Sequence, residues 1–400
     1  TFDVRRMTHD ARRMTFDVRR FLQTLHPLDR GVLLFVAAAL LSLIVAENKD
    51  AARWELRILI IEPMLLYAMI RRKPEFIPAH VTERHEERKP EFIPAYGTEQ
   101  NDKPELIPAY ADALTAGGLI LALVGLYQYF FSDYVEAVQG VRRILSLYDS
   151  PNHVSLFLSR IAPISFCLAA FGATRWRRLY HAAALAPLLL CLYLTYSRGA
   201  WLLGLPAALI FIGAMRGRRG RILTAGALAA ALLALVPVLR TPRMASLLTL
   251  ASGTNFLRLV LWEGTARMIA AHPIFGVGLG NFVTQYPRYM LPEGGYEPVV
   301  YHPHNLLLDT WTSMGLPGVA ALAVLLIAFF RAGLRAYRRL HTKRDLQALV
   351  LGLLASMVGL LAHGLVDTGF RLTDLAFVFM ATLGIVASVE AATQGNVRRA

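Results

Sequence analysis

Charge is scarce in this chain. Only 18% of its 400 residues are Asp, Glu, Lys or Arg, against about 25% in ordinary soluble domains. There are two cysteines. Cys167 and Cys191 both fall inside apolar runs, where they read as small packing residues rather than a disulfide framework, and they say nothing about redox compartment. Close acidic pairs are missing from the segments expected to face outward. No Asp-x-Asp stands there to hold Mg²⁺ or Mn²⁺ on a nucleotide sugar. A cleavable leader is not evident either, because residues 1–30 are polar and Arg-rich and no small-residue cleavage site follows the first apolar run.

Long apolar runs are abundant. Hydrophobic residues make up 55% of the chain, in runs of roughly 16 to 22, long enough to cross a hydrocarbon core of about 30 Å. The expectation is an all-α, polytopic integral membrane protein. Ten spans are predicted at 31–46, 56–70, 111–131, 152–174, 178–196, 199–215, 221–239, 314–331, 346–366 and 372–390, as a lower bound in a range of ten to twelve. The net charge of +14 invites a nucleic-acid reading, but its distribution argues against one. With the N-terminus inside, twenty-nine Lys and Arg fall on the cytoplasmic side and twelve on the other, with Arg160 inside a span. That is the positive-inside bias, so the basicity records topology.

The resulting organisation is a basic N-terminus (1–30), N-terminal spans (31–239), one large outer loop (240–313), C-terminal spans (314–390) and a short tail (391–400). Two stretches are repetitive. Residues 1–20 repeat a Thr-Phe-Asp-Val-Arg-Arg theme, and 73–110 carry Lys-Pro-Glu-Phe-Ile-Pro-Ala twice and Lys-Pro-Glu-Leu-Ile-Pro-Ala once. Pro-punctuated polar repeats read as linker. In the large loop, 255–271 shows helical periodicity, with Phe256, Leu259, Val260 and Glu263 near one face and Arg258, Trp262 and Met268 interleaved. It reads as a helix lying against the membrane surface. Pro273 ends it, and Gly276, Gly278 and Gly280 predict a flexible turn before Asn281 and Phe282.

Ionisable groups at a bilayer edge are expensive and point to function. The densest group is His302-Pro303-His304-Asn305 at the mouth of an apolar helix, closing a loop that also holds Arg240, Arg243, Arg258, Arg267 and Arg288. A helix N-terminus lowers a histidine pKa and favours the neutral imidazole, a good general base. The plainer alternative is that His304 or Asn305 only caps the helix. A third is a metal held by His302 and His304, for which no carboxylate or Cys pattern stands nearby. Arg198 sits in a two-residue connection, Tyr196-Ser197-Arg198-Gly199, and Arg142 and Arg143 in another outer loop. Guanidinium groups suit phosphates because they bind bidentately and stay charged. The alternative is snorkelling to lipid, or pairing with Glu263 or Asp149. Asp367, Thr368 and Arg371 form the last outer turn, where Asp367 either joins the site or pairs with Arg371. Asn152 and His153 either face the site or cap their helix. Arg160 is expected to pair or to face a cavity.

With these residues in place the chain resembles the O-antigen ligase family, whose related members are polymerases and O-oligosaccharyltransferases. The resemblance rests on His304-Asn305, nine residues, Gly315, two residues, Gly318. Tyr196-Ser197-Arg198-Gly199, Arg258 with Trp262, and His272-Pro273-Ile274-Phe275-Gly276-Val277-Gly278 support it. It covers roughly 150–390, and the family has about twelve spans. The resemblance implies a metal-independent glycosyltransferase of GT-C-like architecture at the periplasmic face of the inner membrane. Its donor would be a glycan on undecaprenyl pyrophosphate and its acceptor lipid A–core, with no cofactor and no nucleic-acid partner. His304 would be the base and Arg198 and Arg258 the pyrophosphate clamp. Arg142, Arg143, Asn305, His302, Tyr301 and Asp367 would contact substrate. The rivals are a polymerase or oligosaccharyltransferase on the same donor and, in a different class, a transporter or flippase, which would show polar residues at the bilayer midplane and inverted repeats.

Overall fold

The computed structural model describes residues 24–72, 103–138, 140–239, 241, 253–292 and 299–397. The repeats of 1–20, most of those in 73–110, and Arg240 and Arg243 lie outside the described residues. The protein is an all-α, polytopic helical bundle, with a single two-stranded hairpin among the described residues.

Every expected span is helical. In chain order α1 is Pro27–Val45, α2 Lys49–Glu55 and α3 Glu62–Arg71, the last two joined by a π-helical segment, Leu56–Ile61. Then come α4 (Lys103–Phe131), hairpin strands β1 (Val135–Val138) and β2 (Val141–Ile144), α5 (Pro151–Phe171), α6 (Arg175–Leu194), and α7 (Leu205–Met215) entered through a second π segment, Ala200–Gly204. After α8 (Gly217–Leu239) the large loop contributes α9 (Gly253–Ala271) and α10 (Phe282–Gln285), and α11 (Leu306–Arg339), α12 (Arg344–His363) and α13 (Thr373–Val397) complete the bundle. Among the described residues, seven helices are long and apolar enough to cross a bilayer, with Ala200–Met215 as a shorter apolar helix. The other expected spans, 56–70 and 178–196, are helical but more polar. The first run carries the Arg57–Glu62 pair, and α6 opens on Arg175, Arg177 and Arg178.

Two expectations change. The third copy of the proline repeat is not linker: α4 begins at Lys103, so Pro104 sits in its first turn, where a missing N–H costs nothing. Pro108 also lies within α4, with Ile107 and Ala111 buried against the bundle. The last large loop also ends earlier than 313, because α11 starts at Leu306 and bends at Gly315, the expected start of the span. Gly315 has φ +63°, and a Cβ there would meet the Ile274 carbonyl at 2.0 Å. One helix is therefore built as two, a short stalk carrying the His-Asn motif and a long membrane segment.

The core gathers α1, α3, α5, α11, α12 and α13, with Phe35, Ile60, Ile164, Phe329 and Leu354 fully buried in it. Small residues set the spacing: a Cβ on Gly352 of α12 would lie 2.7 Å from the Ile164 backbone of α5. A second cluster joins α4, α5, α6 and α8. Connections alternate between two ends of the bundle. One end holds the α1–α2, β1–β2, α6–α7, α9–α11 and α12–α13 connections; the other holds α5–α6, α7–α8 and α11–α12.

Candidate active site

The connections at the His304 end touch one another, and the chemistry lies where they meet. Asn305 is the N-cap of α11, accepting from Leu307 N at 3.0 Å and Leu308 N at 3.1 Å, while its amide donates to the Leu365 carbonyl at 2.9 Å. Capping of this kind is worth about 1 kcal/mol. The capping alternative is therefore taken by Asn305, and His304 is left for another task. Leu306 N donates to the Gly364 carbonyl at 2.7 Å, which locks the head of α11 against the α12–α13 turn.

His304 has φ +48°, in the left-handed region that His tolerates better than most residues, and such a conformation costs of order 1–3 kcal/mol. It turns the ring toward Asp367, whose Oδ1 lies 3.1 Å from Nδ1. Asp367 is buried and also accepts from Thr368 N at 2.9 Å. Burial alone would push its carboxyl up; the His304 hydrogen bond, with His304, His363 and Arg258 nearby, outweighs this and holds it well below the usual carboxylate range. An ionised Asp367 can only accept, so Nδ1 carries a proton, and in the neutral ring Nε2 is then the acceptor. The expected Asp367–Arg371 pair is thus not formed. Arg371 instead binds Glu55 at 2.9 Å, Ser313 Oγ at 3.1 Å and Asp309 at 3.5 Å.

His302 stacks edge-on against His304, with ring centroids 4.3 Å apart, and its Nδ1 accepts the His304 backbone N–H at 3.4 Å. Burial, and then the neighbouring His304, keep His302 well below the ordinary histidine value, so it stays neutral. The loop is held from above by α9: Trp262 Nε1 donates to the Pro303 carbonyl at 2.9 Å.

Three arginines face this corner. Arg258 of α9 approaches Asp367 at 3.9 Å. Arg198 is 8% exposed, and burial, then the charges of Arg258 and Arg143, lower its pKa. Arg143 is buried on β2 and bonds the Thr195 carbonyl (2.8 Å), Asn152 (2.9 Å) and Glu136. It braces the connection that carries Arg198. Tyr196, at φ +52°, makes the turn before Arg198. Gly199 then packs on α12, where a Cβ would lie 2.6 Å from the His363 ring.

Other expected contacts are placed elsewhere. The pleat alternates Arg142 to the opposite face from Arg143; it is exposed, donates to the Ser132 carbonyl at 3.2 Å and lies over the Tyr129 ring. Tyr301 is 67% exposed. Arg267 pairs with Glu263 on the surface and Arg288 with Glu47. Asn152 is bound by Arg143, and Ser150 is the cap of α5 in its place. His153 pairs with Asp149 at 2.9 Å. Arg160 is fully buried and donates to the Leu375 carbonyl at 2.9 Å.

Two expectations about the large loop are corrected. The buried residues of α9 are Val260, Leu261, Gly264, Thr265 and Met268; of the four expected on one face Val260 is buried, whereas Leu259 and Glu263 are exposed. The partner of α9 is the α10 layer with Phe282 and Tyr286, which the apolar pattern alone did not locate. The turn after Pro273 is fixed, not flexible. Val277 N donates to Thr312 O at 2.7 Å, Leu316 N to Ile274 O at 2.9 Å and Trp311 Nε1 to Pro273 O at 2.8 Å. Asn281 Oδ1 accepts from Asn48 N at 2.7 Å, and Gly280 N donates to Glu55 at 2.7 Å. Among the described residues, no group of three His, Cys, Asp or Glu is arranged to hold a metal.

Residues 182–323 match a family model described as O-Antigen ligase. The match takes in Arg198, Arg258, His304, Gly315 and Gly318, and leaves Arg143 and Asp367 outside it. Comparison with curated proteins returns no match.

Proposed function

We propose that this chain, a multi-pass membrane protein carrying an O-antigen ligase family domain, moves a glycan from undecaprenyl pyrophosphate to a sugar hydroxyl of lipid A–core. The reaction would take place at the periplasmic face of the inner membrane. The observation that carries this reading is the His304–Asp367 pair standing beside Arg198 and Arg258.

His304 Nε2 takes the proton of the acceptor hydroxyl. The oxygen attacks the anomeric carbon, and the bond from that carbon to the pyrophosphate oxygen breaks with inversion. The bonding electrons leave with the pyrophosphate, whose growing charge is met by Arg198 and Arg258. Preorganised donors of this kind are commonly the largest catalytic factor. Asp367 fixes the tautomer and ring orientation of the base. Arg143 supports Arg198 without touching substrate. The guanidinium groups supply the charge stabilisation, and no cofactor is required. Lipid-linked donor, lipid A–core and surrounding lipids are the partners; the basic residues serve topology and this site rather than nucleic acid.

The test is transfer in detergent with purified protein, lipid-linked glycan and lipid A–core, with EDTA and no nucleotide. Slower-migrating lipopolysaccharide with the wild type, and none with His304→Ala at unchanged thermal stability, is expected. Full activity of His304→Ala would falsify the base assignment. Elongation of the lipid-linked glycan itself, with lipid A–core untouched, would make the protein a polymerase. EDTA-sensitive transfer restored by Mg²⁺ would overturn the metal-independent scheme.

A further inference from the structure

A concavity lies beside the α11 stalk, where the segment 272–277 packs on Trp311 and Thr312. It has a volume of about 240 Å³ and is lined by Val45, Glu47, residues 272–277 and Gln285. We propose that it is the acceptor subsite, holding a membrane-proximal sugar of a lipid-anchored acceptor glycan. This rests on the transferase reading above.

The segment 272–277 combines a fixed backbone with exposed apolar side chains. Its backbone is bonded to α11 at three points, yet Ile274 and Phe275 are 56% and 46% exposed. Apolar side chains on a rigid backbone lose little freedom when a ligand covers them, which is how preorganised sites are built. The polar wall is a linked group at the surface. The Glu47 carboxylate is held by Arg288 at 3.0 Å and 3.3 Å and by the Gln285 amide, and Gln285 is itself buried. Arg288 also donates to Gln285 at 2.8 Å. His272 completes the rim, hydrogen-bonded to the Tyr289 hydroxyl at 3.0 Å. A carboxylate and an amide beside an exposed aromatic ring suit a hydroxyl-rich sugar. The hydroxyls donate to Glu47, whose roughly four lone-pair sites are only partly used, and the apolar face of the sugar lies on Phe275. The cavity is smaller than the roughly 300–1,000 Å³ of a drug-sized site, a scale that fits one sugar with its neighbours outside.

Position decides between acceptor and donor. Trp311 and Thr312, which anchor the segment, follow Asn305 by six and seven residues. At 1.5 Å per residue the cavity lies about 10 Å down the stalk from the base. Val45 ends α1, whose Ile44 is 74% exposed on the lipid-facing side. An acceptor anchored in the bilayer therefore passes the cavity first and reaches His304 with a more distal sugar. The arginines lie with the α6–α7 connection and α9, so the donor pyrophosphate approaches from elsewhere.

The experiment uses the full chain in detergent micelles, with two probes, lipid A–core and lipid A lacking core sugars. Binding of each is measured for wild type, Phe275→Ala, Glu47→Gln and Phe275→Tyr. The first two variants should weaken lipid A–core binding about tenfold and leave lipid A unchanged, and Phe275→Tyr should keep the wild-type affinity. In transfer assays Phe275→Ala should raise the acceptor KM with donor KM and kcat unaltered. Equal weakening of both probes would assign the cavity to the lipid and overturn the proposal, as would unchanged binding of both. If wild type binds lipid A–core through Phe275 yet transfers nothing, the ligase reading falls and the subsite stands.

Discussion

The two ends of the bundle handle charge in opposite ways. At the end away from His304, the carboxylates that tie helices together each take several partners. Glu390, fully buried, takes His26 at 2.9 Å, Arg335 at 3.0 Å, Arg339 at 3.5 Å and Gln394. Asp29 takes Arg71 and Tyr67, Asp112 takes Arg177 and His181, and Asp345 takes the Ala173 and Thr174 amides. At the His304 end the arginines lie within one another's field: Arg198 feels the charges of Arg258 and Arg143, Arg143 pairs with Glu136, and Asp367 is shared between His304 at 3.1 Å and Arg258 at 3.9 Å. Like charges held together in a half-dry corner raise the free energy of the empty protein. Their attraction for an anionic ligand rises by the same physics. One end therefore ties helices together, and the other, on the proposed reading, receives a phosphate.

Exchanging removals between the ends should separate the two roles. The largest effect is expected at the base. His304→Ala should lower kcat by about 10²- to 10⁴-fold while thermal unfolding and donor binding stay at the wild-type values. Loss of folding in that variant would erase the contrast between the ends. Arg198→Lys comes next. It keeps the charge but loses the bidentate fork, so pyrophosphate binding and kcat should fall by about tenfold or more, in detergent assays titrated with undecaprenyl pyrophosphate. Equal activity of Arg and Lys there would show that field alone suffices. Glu390→Ala is the mirror experiment. It should cost about 3 kcal/mol of stability, read as a lower melting temperature, with kcat per folded molecule unchanged.

What the sequence disclosed follows the same division. Apolar runs located the helices because a bilayer demands long apolar segments. His304, Arg198 and Arg258 were legible because a charge at a bilayer edge is unusual. Asp367 could be named but not paired, since its choice between Arg371 and His304 depends on a contact across 63 residues. His363, Glu55 and Asp309 gave no signal at all. Their roles come from packing against Gly199 and from Arg371, and nothing local marks them. The buried face of α9 was misplaced for a related reason. Its partner, the α10 layer, is brought there by the Asn48–Asn281 and Glu55–Gly280 bonds, which join segments more than 220 residues apart. Gly315 was visible only as part of a spacing, and the reason for a glycine there, the Ile274 carbonyl pressed on the kink, required three dimensions.

The smallest effect concerns His302, and it sharpens the comparison by pH. Burial, with His304 beside it, keeps this ring neutral well below the ordinary value of 6.5. In unfolded chains the same ring binds a proton near that value. Between the two, the unfolded state holds more protons, so stability must rise with pH across this window and fall as pH drops below about 6.5. No such cost attaches to Asp367, whose depressed value keeps it ionised; its contribution is present above the ordinary carboxylate range and is lost only in stronger acid. The two groups thus act in separate windows. His302→Gln should flatten the stability curve between about pH 5 and 6.5 by a fraction of the wild-type slope, leaving the loss in stronger acid intact. Melting temperatures of the two proteins at half-unit pH steps would show it. An unchanged slope would mean that His302 is wet and titrates freely, and the corner around His304 would then be open to water before any substrate arrives.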